Sequence, residues 1–202
     1  MNDSKDRQRR KAYDARNRQV DKDAMSLIIC EQFVAQPAYR QAKMVLWYIH
    51  CRSEVRTQAA LLSELEAGKQ VVIPYCTKDQ QGDNKLGLWR LEDFAELVPG
   101  TWGILEPPKQ RWGELGKEVA PEQLDCIMAP GVAFDRNGGR LGNGAGYYDR
   151  LLKSVRTDAT LIGVCFESQL VEQVAMDAHD VVMDMVMTEK TIYAGKGRQF
   201  FN

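Results

Sequence analysis

The segment of this 202-residue chain best equipped for chemistry is APGVAFDRNGGRLGNGAGYYDRLL, residues 129 to 152. A buried strand is expected to end at Pro130, Arg136 to Gly139 supply turn chemistry, and Gly142, Gly144 and Gly146 alternate just before a helix opening near Tyr147. Glycines there let the backbone take positive φ and approach a ligand closely, so successive N–H groups converge on phosphate oxygens. The helix N-terminus adds a dipole that favours anions. Arg140 brings a permanent cation, Asp149 a hard oxygen ligand for Mg2+, and Tyr147 and Tyr148 flat surfaces for a heteroaromatic ring. Tight turns before helices also take glycine for steric reasons alone, so the spacing by itself leaves both readings open. The segment is neither a P-loop, lacking Gly-Lys-Ser/Thr, nor a dinucleotide fingerprint, lacking the right spacing and position.

Other candidates lie outside this run. Lys5, Arg9 and Arg16 fall within about 40° of arc on one face of a helix predicted over residues 3 to 19. Such a stripe faces an anion, or else is a solvated charged face. Glu54 follows the apolar run MVLWYI (44 to 49) at its C-terminal end, where open α/β sheets bind ligands; its bland alternative is a surface salt bridge. Asp184 sits inside VVMDMVM, where an acid requires a partner. Neither His50 nor His179 is assigned a metal or general-base role, and His179, beside Asp180, is expected to orient the loop before the last main strand. The five cysteines are odd in number, widely spread and without a C-x-x-C pair, which reads as small buried side chains in a reducing compartment, Cys126 and Cys165 foremost. No Ser/His/Asp or Cys/His arrangement suggests covalent catalysis.

The elements that must position these groups follow from periodicity. Asp21 is expected to cap a second helix reaching about Pro37, followed by a strand at 44 to 49, a helix from Thr57 to Ala67 ending at Gly68, and a strand at 71 to 75. That β-α-β unit implies parallel strands with a right-handed crossover. Further strands are predicted at 86 to 91, 124 to 130, 160 to 166 and 180 to 188, with a short helix at 169 to 175 and a long irregular connection from Pro99 to Pro121 bordering the site. One domain spanning 1 to 202 is expected, a three-layer αβα architecture on a mainly parallel sheet. Hydrophobic content of 44% and charged content of 27% are ordinary for a globular protein. No apolar run approaches membrane-spanning length, and the charged N-terminus lacks a signal-peptide core, so a cytoplasmic protein without membrane contact is expected. The basic N-terminal stretch lacks interleaved aromatics or a recognition motif, so nucleic acid is not an expected partner.

Taken together, the residues resemble the 5-formyltetrahydrofolate cyclo-ligases, also called 5,10-methenyltetrahydrofolate synthetases. Their pattern PG-x-x-FD-x-x-G-x-RLG-x-G-x-GYYDR is matched from Pro130 to Arg150. Lys5 and Arg9, Glu54-Val55-x-Thr57, Ile73 to Tyr75, Gly103-Ile104-x-Glu106-Pro107 and the run from His179 to Glu189 follow in the family's order. The resemblance implies a Rossmann-like fold similar to the sugar-phosphate isomerase and CoA-transferase-like folds. It implies an ATP- and Mg2+-dependent ligase that closes 5-formyltetrahydrofolate, polyglutamylated or not, to the 5,10-methenyl form through phosphorylation of the formyl oxygen. By the same resemblance Lys5, Arg9, Arg140 and Tyr147 are catalytic. ATP is held by Lys5, Arg9, Arg140, Leu141, Gly142, Asn143, Gly144, Ala145, Gly146, Tyr147 and Tyr148. The folate meets Arg9, Ile49, Glu54, Asn143, Gly144, Ala145, Gly146 and Tyr147, and Asp149 with Asp184 binds Mg2+. The chain departs from common members at Asn143, often a longer basic residue, and at Ala145, often Gly or Lys. A monomer is the expected state, a dimer the alternative; an isomerase-like enzyme or a non-catalytic phosphate-binding protein on the same scaffold are the competing functions.

Overall fold

Consecutive residues Val45 and Leu46 have no exposed surface yet belong to different hydrophobic clusters, one on each face of a sheet. That is the pattern of a strand covered on both sides. The computed structural model describes residues 2 to 177 and 180 to 198. In chain order the helices are α1 (Asn2–Arg18), α2 (Lys22–Ala35), α3 (Pro37–Gln41), α4 (Gln58–Glu66) and α5 (Tyr147–Ser154). The strands are β1 (Met44–Leu46), β2 (Gln70–Lys78), β3 (Asn84–Leu91), β4 (Val98–Pro99), β5 (Leu105–Glu106), β6 (Cys126–Ala129), β7 (Ala133–Phe134), β8 (Arg140–Leu141), β9 (Thr160–Val164), β10 (Met185–Met187) and β11 (Ile192–Ala194).

Seven strands form one sheet in the order β11-β10-β9-β6-β1-β2-β3. The inner five are parallel, while β3 and β11 run antiparallel at the edges. Ile29 and Phe33 of α2, Tyr39 of α3 and Leu61 of α4 pack on Val45, Ile73 and Met128 from one side. Leu151 and Leu152 of α5, with Phe134, pack on Leu46, Ile127 and Leu161 from the other. This is the expected three-layer αβα arrangement. Helix α1 lies beyond the sheet, where Ala12 packs with Val132, Ala133, Leu141 and Val174.

Several local expectations are corrected. The single helix from 21 to 37 is two, because Pro37 excludes the helical region for Gln36, which takes φ −64° and ψ 139°. Asp21 stands at the α2 N-cap position in a left-handed conformation (φ 50°) and makes no side-chain cap. The run from Met44 to Ile49 is strand only to Leu46, with one last ladder bond from Trp47 N–H to Val72 O (2.9 Å), although Trp47, Tyr48 and Ile49 stay buried. No helix forms at 169 to 175, where the backbone donors go elsewhere: Val171 N–H to Phe134 O (2.8 Å) and Val174 N–H to Asp135 Oδ2 (2.8 Å). The strand at 180 to 188 shortens to Met185–Met187. Gly68 does close α4, with φ +84°. Among the described residues no helix is long and apolar enough to cross a membrane.

Candidate functional site

Segments leaving the C-terminal ends of β1 and β6, together with the middle of β2, surround one cavity of about 400 Å3. Open α/β sheets present ligand crevices at this end of their strands. Tyr48, Ile49 and Glu54 come from the loop after β1, Pro74, Tyr75 and Cys76 from β2, and Pro130 to Val132 from the end of β6. The glycine loop and the first turn of α5 form one wall, and Trp102 and Glu106 of the long 99–121 connection form another.

The glycine loop is fixed by its neighbours. Gly144 (φ +93°) and Gly146 (φ +70°) take the left-handed side of backbone space, so both positions require glycine. Arg140, 3% exposed, donates from Nη1 to Pro130 O (3.2 Å), pairs through Nη2 with Asp149 Oδ1, and lies 5.6 Å from the Tyr148 ring centroid. The turn before it is held by Asp135: Oδ1 accepts from Asn137 N–H and Gly139 N–H, both at 2.9 Å. From α1, Arg9 Nε donates to Gly142 O (3.0 Å), and the Tyr13 hydroxyl donates to Asn143 Oδ1. Among the described residues, the Tyr148 hydroxyl and Arg140 Nε are buried beside the cavity without a hydrogen-bond partner. Burial pushes the Tyr148 phenol well above its ordinary range, so it stays a neutral donor.

Glu54 is one of three acids that line the cavity, with Glu106 and Asp149. Burial raises its pKa, an effect opposed by the Cys51 N–H on Oε2 (2.9 Å) and by the charges of Arg16 and Arg52. Glu106 is 5% exposed and accepts from Thr101 N–H at 3.2 Å. Trp102, at φ 57°, stands edge-on to Tyr147 with ring centroids 6.3 Å apart.

Of the residues singled out in the sequence, Ile49, Glu54, Arg140, Gly142, Asn143, Gly144, Ala145, Gly146, Tyr147, Tyr148 and Asp149 line this cavity. Arg9 braces the loop through the Gly142 carbonyl and is not among the lining residues. Leu141 is buried against α1, its carbonyl accepting from Val132 N–H at 2.7 Å. Lys5 faces the same way as Arg9 but is held by Asp177 and Asp180, both at 2.7 Å.

Asp184 is a correction. Its Oδ2 accepts from Leu161 N–H at 2.7 Å, so the partner that an acid in a strand requires is a peptide amide. Leu161 is level with Ile127 in the sheet, three residues short of Pro130, and β10 lies two strands away from β6. Each offset is on the order of 10 Å, whereas joint Mg2+ ligands must sit about 2 Å from one ion. The structure therefore does not bring Asp149 and Asp184 together. Among the described residues no group of three His, Cys, Asp or Glu side chains is placed to hold a metal. His179 lies outside the described residues; His50 Nδ1 accepts from Thr57 N–H at 3.3 Å.

Sequence reasoning missed Tyr13, Tyr75, Trp102 and Glu106 as lining residues, and placed Arg16 only on a cationic stripe. Tyr13 was within reach of the same argument, being four residues after Arg9 and three before Arg16 on one helical face.

The chain matches the model of the 5-formyltetrahydrofolate cyclo-ligase family over residues 2–189. It is 31% identical over 185 residues to a probable 5-formyltetrahydrofolate cyclo-ligase of Schizosaccharomyces pombe, covering 84% of this chain and 86% of that one. Its identity to the 5-formyltetrahydrofolate cyclo-ligase of Mycolicibacterium smegmatis is 35% over 148 residues, 73% of this chain and 74% of the relative. The solved structure of Aquifex aeolicus 5,10-methenyltetrahydrofolate synthetase superimposes with a TM-score of 0.78 at 31% identity, covering 98% of this chain and 96% of that chain.

Proposed function

This chain belongs to the 5-formyltetrahydrofolate cyclo-ligase family, and on that premise we propose that it converts 5-formyltetrahydrofolate and ATP to 5,10-methenyltetrahydrofolate, ADP and phosphate. A formamide oxygen is a very poor leaving group, so closure by the neighbouring amine stalls until that oxygen is activated. The formyl oxygen attacks the γ-phosphorus, and the bond to ADP breaks. N10 then adds its electron pair to the activated carbon, the C–O bond breaks, and phosphate leaves with the proton lost from N10. No covalent bond to the protein is made.

The single observation that carries this reading is the convergence of the glycine loop, Arg140 and the partly buried Glu54 on one cavity at the C-terminal side of the sheet. The N–H groups of the loop and the α5 N-terminus receive the triphosphate, and Arg140 neutralises charge developing on the transferred group. Tyr75, Trp102 and Tyr147 supply apolar faces for the folate rings, and Glu54 orients the pterin edge. Arg9 keeps the loop in place through Gly142 O, and Lys5 reaches phosphate only by exchanging Asp177 and Asp180 for it. Asp149, which lines the cavity with its Oδ1 paired to Arg140, would be the residue that holds Mg2+. Bound there, the ion supplies charge neutralisation for phosphoryl transfer. The cytosol is the compartment of this reading, in keeping with the five free thiols.

The test mixes the protein with MgATP and 5-formyltetrahydrofolate and follows the near-ultraviolet absorbance of the methenyl product together with ADP. Both signals are expected to rise in equal amounts. No absorbance change at high enzyme concentration would leave only a binding role.

A further inference from the structure

Arg16 is a buried cation that the reaction scheme above leaves without a task. It is 3% exposed, with Nε 3.1 Å from Ser53 Oγ, Nη1 3.4 Å from Gly131 O, and Nη1 3.8 Å from Glu54 Oε1. Its guanidinium carbon lies 4.9 Å from the Tyr13 ring centroid. A guanidinium is expensive to bury, and this one is shared among α1, the loop after β1 and the end of β6. The Glu54 carboxylate is treated asymmetrically. Oε2 accepts the Cys51 N–H at 2.9 Å, whereas Arg16 stands at ion-pair distance from Oε1, too far to occupy it as a donor. The cation balances the charge and leaves that oxygen able to accept from a ligand.

We infer that Arg16 is a positioning residue, holding Glu54 ionised and aimed so that Oε1 accepts the N–H donors on the edge of the pterin ring. This rests on the proposal that a folate fills the Glu54 end of the cavity. The charged and titratable groups facing Glu54 agree with it. Arg16 comes from α1 and Arg52 from its own loop, while Cys51 beside it, Tyr48 beyond β1 and Tyr148 from α5 are neutral, their pKa values raised chiefly by burial. Removing Arg16 therefore lets burial push the Glu54 carboxyl further up. The acid limb of kcat/KM for the folate must then move to higher pH.

The experiment is steady-state kinetics from pH 5 to 9 on wild type, Arg16→Met, Arg16→Lys, Glu54→Gln and the double variant Arg16→Met/Glu54→Gln, with thermal melts to confirm folding. Arg16→Met is expected to raise the folate KM about tenfold and to move the acid limb up by about one pH unit, with the KM for ATP changed less than about twofold. Arg16→Lys keeps a cation and is expected to recover part of both effects, so it carries the test alone if the Met variant does not fold. In the Glu54→Gln background the Arg16 change should cost little more, since the charge it balances is gone. An equal loss in both backgrounds, or equal rises in both KM values with an unmoved acid limb, would mean that Arg16 only docks α1, and would overturn the inference. If wild type makes no methenyl product, the functional proposal fails and this one with it. Turnover by wild type without coupling to Glu54 sinks this one alone.

Discussion

Asp135→Asn isolates the tie beneath the glycine loop. The carboxylate is 3% exposed and accepts three main-chain N–H groups, from Asn137 and Gly139 on Oδ1 and from Val174 on Oδ2 at 2.8 Å. Asparagine keeps the shape and one acceptor oxygen but sets an NH2 against one of these amides. Aimed at Val174, it loses a charge-assisted bond and strands a buried N–H, each costing about 1.5 to 3 kcal/mol. Relaxation recovers part of this, leaving a net loss of about 3 kcal/mol. In a chain of 202 residues each kcal/mol lowers Tm by about 2 to 4 °C, so differential scanning calorimetry should show a fall of roughly 6 to 12 °C. Because the turn ends one residue before Arg140, the KM for ATP should rise in the surviving folded enzyme. A melt within about 2 °C of wild type would refute the reasoning, since the carboxylate would then not be what holds the turn.

Three further outcomes are expected. Asp149→Asn should lower kcat at least about tenfold and raise the Mg2+ concentration for half-maximal rate, whereas Asp184→Asn should leave Mg2+ titrations unchanged and cost about 1 to 2 kcal/mol of stability through the Leu161 amide; reversed results would restore Asp184 as a ligand. Tyr13→Phe removes the hydroxyl bound to Asn143, so the KM for ATP should rise a fewfold in rate assays while urea unfolding shifts by under about 1 kcal/mol. Trp102→Ala should raise the folate KM about 2- to 10-fold, the value of one aromatic contact, while the KM for ATP stays put.

What was legible in the sequence had local causes. The β1-α4-β2 unit was readable because an apolar run, an amphipathic stretch and Gly68 carry their conformations with them. The glycine loop was readable for the same reason. The helix expected at 169 to 175 failed because its donors and the Gln169 carboxamide were claimed by residues some 35 to 40 positions earlier: Gln169 Nε2 donates to Val132 O at 2.9 Å with |i−j| of 37, and Val174 N–H reaches Asp135 with |i−j| of 39. The pairing of Asp149 with Asp184 failed because depth along a sheet depends on register between strands, which no single segment encodes. Lys5 was placed on the correct helical face, but its two aspartates are 172 and 175 residues away, beyond any periodicity argument. The β2-β3 hairpin went unread because Asp79 to Asp83 is not one of the short turn signatures, although the strands pair from Val71↔Leu91 to Lys78↔Asn84.

The attachment of α1 has a consequence for how the protein is made. Helix α1 is docked by Lys5 on Asp177, Gln8 on Gln173 O and Ala175 N–H, and Arg9 on Gly142 O. At about 5 to 20 residues per second of translation, its amino-terminal anchor is synthesised roughly ten to thirty seconds after the helix itself. For most of that interval the glycine loop does not yet exist, and once made it lacks the seated helix until residues 173 to 177 follow, so the docking of α1 is a late step of folding.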